Sequence, residues 1–446
     1  MDIDRRSFLR TVSAAGAGLA LAACGGGSGS GSSAAPAPGA AIPTGPLTGT
    51  ATLTTWGAAQ EIAAFKKLAA DFKAARGADV TIEVLPYDQI RTVVDRRLQA
   101  NQAPDLFRVS YTDVGTYATS GALADLSGYL EPGFGDAFLP ALWGAVQADG
   151  KAFGVPHHTD VSALAYNKEH FAKAGITEVP SSLDQAWTWD QFVDVLRRLK
   201  EANPDASPFA FNYQAFGAFR WLNTLYQAGG TVADAELQTA TLDTPEARKA
   251  LEWTRSLYTE GLHAPSVLVK RPTYPGEIFP TQKISMIQTG DFLIPTLEES
   301  IGDRFEWGVT YLMKDVAAAT DLGGNAVVVT EQAKNKDVAA EFAKFLVTKE
   351  NMQYFCEQTT VLPVRTDLVD AELDYAVRPD LLPVFQQQAT TLPEGLVRAS
   401  TSEGFAAINQ AFVDNLDQYF SDPGSSTDAV VQALNSAIGS ALQGGR

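Results

Sequence analysis

An alternation of strand-like and helix-like segments constrains the fold of this chain more than any other feature. Short runs rich in β-branched and aromatic residues predict strands at Thr50–Trp56, Val80–Val84 and Pro104–Val109. Between them, apolar residues recur at helical spacing over Ile62–Phe72 and Ile90–Leu98. This β-α-β-α-β order predicts an α/β fold with a mainly parallel sheet flanked by helices.

Later segments extend the same pattern beyond one core. Strands are predicted at Ala163–Tyr166, Ile284–Ile287 and Ala326–Val329, and Thr188–Gln191 reads as a capping box that opens a helix. Val431–Leu442 predicts a final amphipathic helix. The 446-residue chain exceeds the ~250–300 residues that a single core usually serves, even without its first 49 residues, so we expect two lobes.

The N-terminus has the composition of an export signal. The pair Arg5-Arg6 precedes an apolar stretch over Thr11–Ala23, which leads into Cys24. Paired arginines are typical of bacterial twin-arginine signals, and Leu21-Ala22-Ala23-Cys24 resembles a lipobox. The sequence therefore predicts a signal peptide over residues 1–23 and a lipid-modified Cys24.

This segment allows two other interpretations. A membrane-spanning helix needs ~20 apolar residues, and Thr11–Ala23 has 13. A signal peptide without lipid is the nearer alternative. Residues 24–49 consist largely of Gly, Ser, Ala and Pro and are predicted to form a disordered linker.

The net charge and the cysteine content exclude some binding partners and some cysteine chemistry. The net charge is −18, from 34 Lys and Arg against 52 Asp and Glu. Such an acidic chain repels phosphates, so we expect no nucleic acid partner. Cys24 belongs to the predicted signal, which leaves Cys356 alone, so we expect no disulfide and a buried, inert thiol.

The common catalytic motifs are absent from the sequence. It contains no Walker-type phosphate loop, His-Glu-x-x-His, Gly-x-Ser-x-Gly or Cys-x-x-Cys. The cluster His157-His158-Thr159-Asp160 is weak as a metal site because adjacent histidines on an extended chain point to opposite faces. We expect one histidine to be packed and the other to reach a cleft, with no metal and no cofactor. A glycosidase-like pair of carboxylates stays possible in so acidic a chain, but no pair stands out.

Aromatic residues beside Gly, Asn or Asp indicate a binding role. Trp56, Tyr111, Tyr213 and Phe292 stand in such segments. Flat rings cover the apolar C–H faces of a sugar while neighbouring polar groups take its hydroxyls. Core packing is the competing interpretation for aromatic residues in general. It is favoured for two tryptophans with helical spacing, Trp189 and Trp253.

The order of the segments resembles extracellular solute-binding protein family 1 of ABC importers, the group that includes maltose-binding-like proteins. Short matches occur in order along residues 50–365. They are Leu53–Gly57, Ala103–Phe107, Gly121–Leu126, Phe153–Pro156, Ala165–Gly175, Thr188–Asp190, Phe279 with Lys283–Met286 and Gly290, Lys334–Lys336, Ala339–Leu346 and Leu362–Arg365. Where the family often has Gly-x-Trp, this chain has Gly290-Asp291-Phe292, which retains a ring.

The resemblance implies a two-lobe periplasmic-binding-protein fold, type II-like, whose discontinuous lobes are joined by crossing segments. The crossings are expected near His158–Val161, Val316–Leu322 and Thr359–Pro363. Lobe one would then comprise residues 50–158 plus 322–360, and lobe two residues 160–316 plus 363–446. A ligand would bind in the cleft, and the lobes would close around it by a hinge motion.

The same resemblance implies a substrate-binding protein, not an enzyme, that captures a mono- or oligosaccharide and delivers it to the membrane subunits of an ABC permease. We expect a monomer on the outer face of the cell membrane, anchored through Cys24. The alternatives are a tethered glycosidase or other hydrolase and a ligand-binding partner of a sensor. The predicted ligand-binding residues are Trp56, Tyr111, His158, Asp160, Tyr213, Trp221, Asp291, Phe292, Asn325 and Arg365.

Overall fold

The structure is a computed structural model, and it describes residues 45–213, 216–271 and 273–444. The predicted signal peptide over residues 1–23, the lipidation of Cys24 and most of the linker over residues 24–49 lie outside these ranges. The end of the linker is described. Leu47 is buried, and its backbone N–H donates to the carbonyl oxygen of Arg76 at 2.7 Å. Packing against the folded body therefore reaches back at least to Leu47.

The strands are short and mostly buried. In chain order they are β1 (Thr50–Thr55), β2 (Asp79–Val84), β3 (Leu106–Ser110), β4 (Gln147–Ala148), β5 (Lys151–Ala152), β6 (Gly154–His158), β7 (Ser162–Asn167), β8 (Ser207–Ala210), β9 (Ile284–Gly290), β10 (Trp307–Thr310) and β11 (Asn325–Val329). The predicted strands at Ala163–Tyr166, Ile284–Ile287 and Ala326–Val329 are confirmed as parts of β7, β9 and β11.

Helices surround both sheets. In chain order they are α1 (Ala59–Arg76), α2 (Tyr87–Gln99), α3 (Tyr111–Thr119), α4 (Pro140–Gly144), α5 (Lys168–Lys173), α6 (Trp189–Ala202), α7 (Leu222–Gln227), α8 (Pro245–Thr259), α9 (Pro275–Ile278), α10 (Ile294–Ile301), α11 (Lys336–Leu346), α12 (Lys349–Thr359), α13 (Leu382–Ala389), α14 (Glu394–Ser400), α15 (Phe405–Ser421) and α16 (Thr427–Gly444). Among the described residues, no helix combines the length and the apolar character needed to cross a membrane.

The first sheet has the strand order β2-β1-β3-β11-β6. β1 runs parallel to β2 and β3, and α1 and α2 form the connections, which confirms the predicted β-α-β-α-β unit. β11 is antiparallel to β3 and to β6. Its first residue, Asn325, pairs with Ser110 and with His158. The carboxyl ends of β3 and β6 therefore meet the start of β11 at one edge of the sheet.

The second sheet has the order β10-β7-β9-β8. β8 and β9 are parallel, and the other pairs are antiparallel. The predicted capping box at the start of α6 is confirmed. Thr188 Oγ1 accepts from the backbone N–H of Gln191 at 3.3 Å, and Gln191 Oε1 accepts from the N–H of Thr188 at 2.9 Å. These bonds satisfy two groups that a helix start would otherwise leave unpaired.

The two connections between the sheets, after β6 and before β11, and the segment after α12 are hydrogen-bonded to one another. The backbone groups of Thr159 and Leu362 exchange two bonds of 2.9 Å. The N–H of Gly323 donates to the carbonyl oxygen of Asp160 at 3.0 Å, and Thr320 Oγ1 contacts both backbone groups of Ser162 at 3.2 Å. In chain order, the strands of the second sheet come after β6 and before β11, which both belong to the first sheet. A discontinuous two-lobe fold requires this order.

The first and last long helices both pack through fully buried apolar residues. These are Phe65 and Phe72 of α1 and Leu434 and Ile438 of α16. Cys356 on α12 is also fully buried, and burial raises the pKa of its thiol well above the usual value. A thiol held protonated in this way is a poor nucleophile.

Candidate functional site

A cavity of about 860 Å³ lies between the two sheets. Its volume is in the range of small-molecule sites, ~300–1,000 Å³. One wall comes from the edge of the first sheet and the other from the segments around α9, α10 and residue 220. Five of the predicted ligand-binding residues line it, namely Trp56, Tyr111, Asp160, Phe292 and Asn325.

Trp56 follows the last residue of β1 and lines this cleft. The guanidinium of Arg108 stands over its ring, 4.6 Å from the centroid, and Arg108 Nη1 donates to the backbone oxygen of Trp56 at 2.9 Å. The ring of Tyr87 lies 5.4 Å away at a tilt of 50°. These contacts hold the half-buried indole in place before any ligand arrives.

Arg108 is the centre of a buried polar network under the cleft. Its Nη1 lies 2.7 Å from Glu61 Oε1, and its Nη2 lies 3.0 Å from Nε2 of His158. Asn325 Nδ2 contacts the same Nε2 at 3.0 Å. Because a guanidinium can only donate hydrogen bonds, His158 Nε2 must be the acceptor. The hydrogen of the neutral His158 ring is therefore on Nδ1, which donates to Nδ1 of His157 at 2.9 Å.

The two histidines of this network are neutral. Burial and the positive charge of Arg108 lower the pKa of His157 to about 3 and hold that of His158 well below its usual value. His158 is fully buried and does not line the cavity. It orients Arg108 and Asn325, both of which do line it.

Tyr111 begins α3, directly after β3. Its ring is buried, and its hydroxyl donates to the backbone oxygen of His158 at 3.1 Å. Burial raises the pKa of this hydroxyl well above its usual value. Tyr111 therefore presents part of its ring to the cleft while its polar end is fixed to the strand that leads into the first crossing.

Asp160 lies in the first crossing, close enough to the ion pair of Arg220 and Asp321 to be affected by both charges. Arg220 Nε is 3.4 Å from Asp321 Oδ2, and Asn223 Nδ2 donates to Asp321 Oδ1 at 2.8 Å. Burial raises the pKa of Asp160 from 3.8 to about 6; the charge of Asp321 adds to this, and Arg220 opposes it. Asp160 is thus a buried acid whose pKa lies above its usual value.

Phe292 and Asp291 follow β9 but have different surroundings. The Phe292 ring lines the cavity and packs so closely on Gly290 that any β-carbon there would clash with it. Asp291 is fully buried, and its backbone oxygen accepts from Thr360 Oγ1 at 2.7 Å. Burial and the charge of Asp160 raise the pKa of Asp291 well above its usual value. Asp291 therefore supports the third crossing from behind the cleft.

Three other predicted residues lie away from the cavity. Tyr213 is buried and stacks on Phe211 at 5.4 Å, and Trp221 is buried and donates through Nε1 to Thr254 Oγ1 at 3.1 Å. Arg365 donates through Nε to Asp367 Oδ1 at 2.9 Å. We leave these residues, together with His158 and Asp291, out of the ligand-contacting set.

Several cavity-lining residues were not predicted from the sequence. They include Tyr87, Arg108, Arg220, Tyr274 and Glu277. Tyr87 had a usable signal, because it follows β2 at the same sheet edge as Trp56, and ligands of α/β sheets bind at the carboxyl ends of strands. Arg108 had the same signal, because it lies near the carboxyl end of β3, and the other three had none. Within the described residues, no group of three or more His, Cys, Asp or Glu side chains is arranged to hold a metal ion.

The two sheets, the crossings between them and the ring-lined cleft define a two-lobe binding protein. The chain belongs to the bacterial extracellular solute-binding protein family, whose model matches residues 58–353. This family consists of binding proteins and not of enzymes, and it acts outside the cytoplasm. The protein is therefore an extracytoplasmic solute-binding protein.

Individual relatives are distant. The diacetylchitobiose-binding protein of Streptomyces coelicolor is 28% identical over 305 residues, which cover 66% of this chain and 68% of that protein. The lactose-binding protein of Rhizobium radiobacter is 23% identical over 326 residues, or 69% and 72% of the two chains. The structure of the GacH receptor of Streptomyces glaucescens is 22% identical with a TM-score of 0.76, covering 89% of this chain and 99% of that one. At this identity the structural likeness shows the shared fold.

Proposed function

We propose that the protein captures a mono- or oligosaccharide in the cleft and delivers it to the membrane subunits of an ABC importer. The observation that carries this proposal is the composition of the cavity wall. The rings of Trp56 and Phe292 line it together with the polar side chains of Asp160 and Asn325. Rings suit the C–H faces of a sugar, and carboxylate and amide groups suit its hydroxyls.

The relatives support the sugar assignment. One is named for diacetylchitobiose and another for lactose. The GacH receptor, which has the same fold, was solved in complex with acarbose. These ligands are all carbohydrates, although they differ in linkage and substituents.

Capture proceeds by closure of the lobes about the three crossings. A ligand favours the closed form only by contacts that the open form lacks. Arg220 and Phe292 on one wall face Trp56 and Asn325 on the other, so a ligand that touches both walls supplies such contacts. The lobes are taken as residues 50–158 plus 322–360 and residues 160–316 plus 363–446.

The remaining parts of the proposal concern location and chemistry. The protein is anchored to the outer face of the cell membrane through lipidated Cys24, acts as a monomer and catalyses no reaction on its ligand. The signal-like N-terminus supports the anchor. Membership of a family of binding proteins supports the lack of catalysis.

Calorimetry on the purified chain with a panel of neutral mono- and disaccharides tests the assignment. We expect one or more sugars to bind with a 1:1 ratio and to be recovered unchanged. Trp56→Ala should weaken binding about tenfold or more, because an aromatic ring that lines the cleft is lost. Trp253→Ala removes a half-buried ring that does not line the cleft and serves as the control.

Two results would overturn the proposal. One is binding of amino acids, peptides or polyamines with no binding of any sugar. The other is release of a cleaved product, which would make the protein a hydrolase. Hinge closure is tested separately by small-angle scattering, in which a saturating sugar should reduce the radius of gyration.

A further inference from the structure

The cleft lies across the edge of the first sheet, with a different helix on each side. β1 leads through α1 to β2, and β2 leads back through α2 to β3 on the other side of β1. Connections between parallel strands are right-handed, so α1 and α2 lie on opposite faces of the sheet. Glu61 of α1 and Tyr87 of α2 both line the cavity. The cavity therefore reaches from one face of the sheet to the other.

On the side of α2, the cavity narrows to a pocket of about 50 Å³. Trp56, Tyr87 and Phe219 line both spaces. A single water needs ~10–15 Å³ on the same measure, so the pocket is too small for a sugar ring. Its walls come from both lobes and include the buried residues Ile90 of α2 and Phe405 of α15. A sugar chain in the cleft cannot continue through this space.

The two lobes touch each other on this same side. Gly115 of α3 lies so close to the segment before α15 that an added β-carbon would be 3.2 Å from Cα of Glu403. Thr116 Oγ1 donates to the backbone oxygen of Glu403 at 3.3 Å. The ring of Phe216, from the second lobe, packs edge-on against Tyr87 with the ring centroids 6.3 Å apart. These contacts close the cleft on the side of α2, which we call the closed side.

Away from α2, the cavity is bordered by exposed side chains. In the second lobe these belong to α9, α10 and the residues that follow each helix, and they are Glu277, Thr281, Thr296 and Arg304. In the first lobe, Val84 and Pro86 after the edge strand β2 are exposed as well. The cavity of about 860 Å³ has room for more than one sugar unit. A chain that begins beside Trp56 thus has an exit to solvent past α10.

We propose that the cleft binds an oligosaccharide by one terminal unit. That unit would lie beside Trp56 and Tyr87, where the contact between the lobes stops the chain, and the remaining units would lead out past α10. This assignment rests on the proposed sugar-binding function and narrows it to chains that present a free end. An internal segment of a polysaccharide, or a cyclic oligosaccharide, would have to pass through the closed side.

Calorimetry with end-blocked disaccharides tests the proposal. Cellobiose, lactose and maltose are each compared with two derivatives, a 4-methylumbelliferyl glycoside at the reducing end and a 4,6-O-benzylidene acetal on the non-reducing unit. For each disaccharide that binds, we expect one of the two blocks to weaken binding about a hundredfold or more, because it meets the closed side. The other block should change the affinity by less than about threefold, since it projects toward solvent.

Phe216→Gly tests the closed side directly. Phe216 has a φ of +64°, a conformation that glycine adopts without strain, so the fold should tolerate the change. Without the ring, space opens beside Tyr87, and the block that the wild type rejects should regain about tenfold or more in affinity. The unblocked sugar should bind within about threefold of the wild type, because Phe216 does not line the main cavity.

Leu237→Gly is the matched control. Leu237 is a half-buried apolar residue with a φ of +54°, and it lines neither the cavity nor the small pocket. The variant should reject the same block as the wild type does. If Phe216→Gly also rejects that block fully, the contact between the lobes does not stop the chain, and the proposal fails.

Failure of this proposal is distinct from failure of the sugar assignment. Tolerance of both blocks would mean that the chain runs through the cleft, and rejection of both would mean that the cleft encloses the whole ligand. Either result overturns binding by a terminal unit and leaves sugar binding intact. Binding of a monosaccharide with none of the three disaccharides does the same. If no sugar binds, both proposals fall.

Discussion

Nη2 of Arg108 and Nε2 of His158 lie 3.0 Å apart, and this contact determines which ring nitrogen of His158 carries the hydrogen. The histidine accepts from Arg108 at Nε2 and donates from Nδ1 to its neighbour His157. Arg108 in turn holds the backbone of Trp56, so a histidine that does not line the cavity controls the position of an aromatic residue that does.

Replacing His158 by phenylalanine should therefore damage both stability and binding. Arg108 and the Asn325 amide would lose a shared acceptor in a buried site, which costs about 1–3 kcal/mol in the free energy of unfolding. We also expect a several-fold loss of sugar affinity, measured by calorimetry. His170→Phe is the control, because His170 bonds Ser285 in the second sheet, away from the cleft. If His158→Phe lost stability with unchanged affinity, His158 would have no role in positioning the site.

The fold follows from local patterns that the sequence displays directly. Alternating residues over Val80–Val84 and helical spacing over Ile62–Phe72 predict a strand and a helix wherever they occur. The capping residue Thr188 marks a helix start by a bond to a residue three positions away. Such signals need no knowledge of the rest of the chain, and the order of the elements then restricts the topology.

The site was harder to predict because it depends on packing between distant segments. Trp221 and Trp56 are the same residue type, but the Trp221 ring packs 5.7 Å from Phe412 of α15, about which the sequence around Trp221 says nothing. Arg220 lies next to Trp221 and lines the cavity instead. Trp221 is therefore turned toward α15, which lies near the other end of the chain, while the neighbouring Arg220 faces the cleft.

Replacement of tryptophan by phenylalanine should therefore reduce stability at Trp221 and sugar affinity at Trp56. Trp221→Phe loses a buried bond to Thr254 and leaves a small void, so we expect a loss of about 1–3 kcal/mol in unfolding free energy and a sugar affinity within twofold of the wild type. Trp56→Phe should weaken binding with little change in stability. Urea unfolding and calorimetry on both variants measure this, and a large loss of affinity in Trp221→Phe would return it to the ligand-contacting set.

Asp160 should make stability depend on pH. Its pKa is raised on folding from 3.8 to about 6, so between these values the folded protein keeps a proton that the unfolded chain has lost. The free energy of unfolding should therefore fall as the pH rises from about 4 to about 6, by up to about 1.4 kcal/mol per pH unit. Asp160→Asn should remove this component, whereas Asp370→Asn at an exposed position should not. Identical pH profiles for wild type and Asp160→Asn would contradict the buried titration.

The same ionisation should affect ligand affinity in the opposite direction. An ionised Asp160 accepts hydrogen bonds from ligand hydroxyls, and bonds to a charged group are stronger than those to a neutral one. Sugar affinity should thus rise as the pH increases through about 6, by up to about tenfold. Calorimetry at several pH values measures the rise, and Asp160→Asn should bind weakly at every pH. A wild-type affinity that falls over this range would mean that Asp160 does not accept from the ligand.

Close backbone contact between the crossings makes Gly323 sensitive to a single added carbon. A β-carbon at Gly323 would overlap the carboxylate of Asp160, and the neighbouring Gly324, with φ +98°, lies against the backbone of His158. Gly323→Ala should force the first and second crossings apart, lowering sugar affinity at least tenfold and stability by about 1–3 kcal/mol.

Gly439→Ala on α16 is the matched control, because nothing lies within 4 Å of its added carbon. A helical Ala there should raise stability by about 0.5–1 kcal/mol and leave affinity unchanged. Calorimetry and urea unfolding compare the two variants, and unchanged binding in Gly323→Ala would mean that the crossings tolerate separation without loss of the site.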